Sequence, residues 1–221
     1  MIRFGFASVM AAVLALTSSA MAEELEARPL SSFANERREA NKAFRTLCSE
    51  LDQMSDFAAA AKFTQAFGLL VQKSVPDFHA RDYKSAPYLT SLGNIYGTEN
   101  CAAHNVSVSK TEFDVEIAAN YHRWASEFGY PVALSNYGNR LIKGEGVKSD
   151  SLLGAWHLTH ALMSGYGTAG VYLANYNMDE VFFPRNLEHA ETFLDAAARS
   201  DEVNSKSLAR AQEKLKRLKN Q

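Results

Sequence analysis

Apolar residues recur along this chain at steps of three and four, the spacing that gathers them on one face of a helix. From about Asn35, a first stripe is formed by Ala40, Ala43, Phe44, Leu47 and Leu51, with Cys48 beside it. A second helix, capped by Ser55 or Asp56, carries Phe57, Ala61, Phe63, Phe67 and Leu70 and must stop before Pro76. A third is predicted from about Ala86 to Gly97. The last, from about Asn204 to Leu218, sets Leu208, Ala211, Leu215 and Leu218 on one side and Lys206, Arg210, Lys214 and Arg217 elsewhere.

Between these ends the pattern repeats itself at an interval of 36 residues. Ala125, Gly129 and Ala133 return as Ala161, Gly165 and Ala169, and the first returns again as Ala197; Ala118, Gly154 and Ala190 keep the same interval, as do Asp114, Asp150 and Asn186. A period in this range marks stacked helical hairpins. The fold class predicted is therefore all-α, a short right-handed α-α superhelix. Small residues recur where helices must approach closely, while Trp124, Tyr137, Trp156, Leu158 and Leu173 fill the wider gaps. Asp114, Asp150 and Asn186 suit helix N-caps, whose side-chain oxygens accept from backbone N–H groups left unpaired at a helix start. A second signature, Leu92-Gly93-x-x-Tyr96, recurs as Tyr137-Gly138-x-x-Leu141 and Leu173-Ala174-x-x-Asn177; its first step is 45 rather than 36, which places a nine-residue insertion within Thr98 to Lys110. The organisation expected is a signal at 1–22, a disordered leader at 23–34, an N-terminal helical cap or degenerate repeat at 35–80, and repeats with a capping helix at 81–221.

The N-terminus changes the picture of where this fold works. Arg3, the apolar run Phe6 to Leu16 and the small-x-small triplet Ala20-Met21-Ala22 make an export signal cleaved after Ala22. The run is short for a bilayer span and Glu23 and Glu24 follow at once, so the product is expected to be periplasmic or secreted without stable membrane insertion. Formal charge is −2, with 47% hydrophobic and 22% charged residues, an ordinary globular composition without the basic footprint of a nucleic-acid binder. Cys48 and Cys101 are the two cysteines; in an exported chain they make one disulfide or remain as two buried thiols. A bridge would pin the inserted loop against the N-terminal helices.

The segment Gly129-x-x-x-Ala133-x-x-x-Tyr137-Gly138-x-x-Leu141-x-x-Gly144-x-Gly146-Val147-x-x-Asp150, followed by Ala155-Trp156 and Ala161-x-x-x-Gly165, resembles the Sel-one-like repeat, a branch of the tetratricopeptide-like α-solenoids. The likeness spans about Ala86 to Ser200 and is strongest in the middle, since the third repeat has Val181-Phe182-Phe183-Pro184 where the second has its glycine pair. It implies a scaffold that binds another envelope or secreted protein on its concave face. Family members associated with the flagellar stator share the layout of signal, cysteine-bearing N-terminal region and a few repeats.

One column of residues fits that role. Asn94, Asn139 and Asn175 follow the small residue of each first helix, and Ser91, Ser135, Asn136, Arg140, Tyr172 and Tyr176 surround them. Facing a groove, such amides grip a peptide backbone; facing inward, they satisfy carbonyls within the fold. His157 and His160 stand three apart, a spacing open to a metal, but they align with the packing positions Tyr121 and Trp124, so no metal or cofactor is expected. Ser107-Val108-Ser109-Lys110 carries the S-x-x-K string of penicillin-recognising enzymes without S-D-N or K-T-G partners, and Asn105-Val106-Ser107 is a glycosylation string. A cell-wall or β-lactam enzyme is the rival from another class.

Overall fold

The computed structural model describes residues 28–51, 62, 65, 66, 68–74, 82–97, 115–180, 182–200 and 202–221. It is all-α: α1 (Ala34–Leu51), α2 (Ala86–Tyr96), α3 (Val115–Glu127), α4 (Pro131–Lys143), α5 (Ser151–Met163), α6 (Gly167–Asp179), α7 (Leu187–Ala198) and α8 (Ser205–Lys219), with short 3-10 turns at Leu30–Phe33 and Tyr83–Ser85. Among the described residues there is no strand, only an isolated bridge between Tyr166 and Glu202. The chain divides into two compact units: Arg28–Ala133 with Glu145–Val147, and Leu134–Gly144 with Lys148–Gln221.

In the first unit, α1 packs on α2 and α2 on α3. Of the stripe read from the sequence, Ala40, Ala43, Phe44 and Leu47 are buried, and Ala40, Ala43 and Leu47 meet Ala66 and Leu70, from the helical residues between α1 and α2, and Tyr88 and Leu92 of α2. Residues 28–34, the described end of the leader, are packed. Phe33 is fully buried, its ring 5.5 Å from Tyr83 and 4.7 Å from Tyr130, and Arg28 lies 4.6 Å over Tyr83. A phenylalanine between two tyrosines removes apolar area from water on all sides, enough to tie down a segment whose flanking residues are polar.

In the second unit, α5 packs on α6, α6 on α7, and α8 on both α6 and α7. Its core joins Leu134, Ile142, Leu158, Leu162, Leu173, Met178, Phe193, Leu194 and Leu215 with the repeated alanines Ala161, Ala169, Ala190 and Ala197. The periodicity extends to the element boundaries: α4 and α6 begin and end 36 residues apart, and so do α3 and α5. Small side chains are where close approach demands them. A Cβ on Gly138 would lie 2.7 Å from the Gly154 carbonyl oxygen, and one on Gly154 would lie 2.6 Å from that of Gly138, so α4 and α5 touch backbone to backbone.

The two turns of this unit share their hydrogen bonds. Asp150 N–H donates to Leu141 O and Asn186 N–H to Asn177 O, each at 2.9 Å. Asp150 then caps α5 by accepting from Leu153 N–H, and Asn186 caps α7 by accepting from His189 N–H, with nearly equal backbone angles. Gly144 takes φ 72°, and the equivalent Glu180 takes φ 55° without being a glycine. α5 closes on a Schellman motif, in which Gly165 adopts φ 92°, its N–H donates to Leu162 O, and Tyr166 N–H donates to Ala161 O.

Candidate protein-binding face

Because α4 and α6 share length and register, residues 36 apart occupy equivalent places on them. Asn136 corresponds to Tyr172, Asn139 to Asn175 and Lys143 to Asp179. These residues recur at three- and four-residue steps, so each helix keeps one polar face, half-buried at Asn136, Asn139, Arg140, Tyr172 and Asn175 and exposed at Lys143 and Asp179. Lys214 of α8 pairs with Asp179 and so borders this face. Sequence reasoning did not single out Lys143 or Asp179; the signal available was the opposite charge of two residues one period apart.

The asparagine column splits. Asn94 on α2 has its Oδ1 3.1 Å from Nε2 of the buried His122 on α3, which donates when protonated there. His122 stands where the later repeats place the buried leucines Leu158 and Leu194, so a polar ring in an apolar column finds a polar partner. Gly93 makes room for it, since a Cβ there would fall 2.5 Å from the His122 ring. Asn139 Oδ1 accepts from the hydroxyl of Tyr176, tying α4 to α6. Ser135 is 0% exposed, its Oγ without a hydrogen-bond partner among the described residues, and Ser91 and Tyr176 are buried as well. Ser135, Ser91 and Tyr176 serve the packing and do not form a surface, and Asn94 and Asn139 each have an oxygen engaged within the fold. The surface part of the predicted patch is Asn136, Arg140, Tyr172 and Asn175, all half-buried on α4 and α6.

The histidines belong to the interior side of α5. His157 is 7% exposed, its ring 5.2 Å from Tyr137 and 4.9 Å from Trp156, with Nδ1 unpartnered among the described residues. Burial, and secondarily the nearby His160, push its pKa down to about 3. His160 Nδ1 lies 2.9 Å from Trp156 O, and burial lowers its pKa against the opposing pull of that bond. Among the described residues no three His, Cys, Asp or Glu side chains converge as metal ligands, and no helix is long and apolar enough to cross a membrane. Cys48 is fully buried on α1. Its expected partner Cys101 lies outside the described residues, as do the export signal, Asp114 and the strings Asn105-Val106-Ser107 and Ser107 to Lys110.

No family model matches this chain, and no curated protein does. Among solved structures it is similar to a Sel1 repeat protein from Oxalobacter formigenes, at 18% identity over 59% of this chain and 88% of that one, with a TM-score of 0.46.

Proposed function

We propose that this protein is a binding scaffold that holds another protein along the polar face of α4 and α6. The observation that carries the reading is the matched register of those two helices, which gives Asn136 and Tyr172, and likewise Asn139 and Asn175, equivalent places on successive helices, with Arg140 beside them on α4. An extended segment has its own repeating donors and acceptors, and a row of amides, an arginine and a tyrosine offers partners for them at little ordering cost. The export signal at residues 1–22 puts the encounter in the periplasm or outside the cell, with another envelope or secreted protein as ligand. A bridge between Cys48 and Cys101 belongs to the same reading, because it forms in that compartment.

The test is photocrosslinking in live cells from position 175, with position 195 on the exposed side of α7 as the comparison. A defined protein captured from 175 and absent from 195 is the expected result. Capture from 195 alone would move the binding surface to the second helices and overturn the assignment.

A further inference from the structure

His157 is a polar side chain in a position built for an apolar ring. Its equivalents one period away are Tyr121 and Phe193, and Phe193 sits in the core of the second unit. His157 itself lies against the backbone contact between α4 and α5: a Cβ on Gly138 would fall 3.0 Å from His157 Cβ. Tyr137 of α4 and Trp156 of α5 face its ring edge-on. The imidazole is held neutral in this place, because a proton on Nδ1 creates a donor and a charge with no acceptor among the described residues.

We propose that His157 makes the joint between α4 and α5 acid-labile, so that this hairpin is closed at neutral pH and opens to let the imidazole take a proton in mild acid. The groups around the ring give it no escape. From α4 the titratable neighbour is Tyr137; from α5 it is His160, whose charge opposes a second one; and no carboxylate contributes to its titration. On α6, the other helix packed on α5, the charged residue Asp179 is engaged by Lys214 of α8.

The sign follows from which state holds the proton. The folded pKa of about 3 lies below the ordinary 6.5, so the open hairpin binds the proton more tightly and closure is fully favoured only above about pH 6.5, weakening as pH falls toward 3. Between pH 7.5 and 5.0 the open fraction then rises about thirtyfold from this one group.

Amide hydrogen exchange, corrected for the intrinsic effect of pH, reads this directly. In the full chain, protection of α4 and α5 is expected to fall about thirtyfold over that interval beyond any change in α7, and by less than about threefold in His157→Phe and His157→Tyr, which carry the rings of the neighbouring repeats. Constant protection in the unaltered chain would overturn the proposal. So would an equal loss in both variants, abolition of the loss by His160→Gln, or failure of both variants to fold, since the slot would then not be one for an apolar ring.

Discussion

Glu180 shows how a single residue can depart from the repeat without breaking it. It holds the left-handed backbone that Gly144 supplies one period earlier, at φ 55° against 72°. A side chain in that region costs about 1–2 kcal/mol, whereas glycine's extra freedom in the unfolded chain costs about 0.5–1 kcal/mol. The ion pair that Glu180 makes with Arg185, at 3.3 Å and well exposed, adds little. Glu180→Gly is therefore expected to stabilise the protein by about 0.5–1 kcal/mol, a rise in Tm of about 2–3 °C in a thermal melt. The bracing of these turns was not legible from the sequence, since unlike side chains make the same contact with the main chain: Ser149 Oγ donates to Ile142 O in one turn, and Arg185 Nε to Met178 O in the other. The asparagine column was legible as a pattern and ambiguous as a function. Only coordinates tell that Asn94 and Asn139 meet His122 and Tyr176.

Helices and their contacts were the most legible level, because the small residues that mark them have one physical cause. Gly154 on α5 is the clearest case. In an isolated helix, Gly→Ala is favourable by about 1 kcal/mol. Here the new Cβ would lie 2.6 Å from the Gly138 carbonyl oxygen and 2.5 Å from Ile142 Cγ1, and a backbone oxygen cannot rotate away. Overpacking of this kind costs about 1–3 kcal/mol, so Gly154→Ala is expected to lower stability by about 1–2 kcal/mol in a denaturant titration, opposite in sign to its helix preference. The third repeat carries Ala174 and Ala190 at the corresponding places, both fully buried, so close approach there accommodates a methyl. The packing at residues 28–34 was not legible because its anchor is one residue: Phe33 alone, in a stretch with no periodic stripe, gives sequence reasoning nothing to recur.

At the scale of the molecule, the proposed bridge between Cys48 and Cys101 is open to a direct test. A bridge from Cys48 to Cys101 closes a long loop and, by the chain-entropy relation, favours folding by about 4 kcal/mol. Reduction is expected to lower Tm by about 10 °C, while Cys48→Ala/Cys101→Ala starts at the lower value and does not respond to reductant. The repeat that organises the second unit closes its hairpins through peptide groups: Asp150 N–H to Leu141 O and Asn186 N–H to Asn177 O hold successive turns with the same bond although the residues between them differ. A gene that lengthens by copying such a segment carries the main-chain seam of its turn along with it. Surfaces between the seams are left free to diverge, and a protein assembled this way acquires new ligands by drift in one copy while its siblings keep the architecture standing.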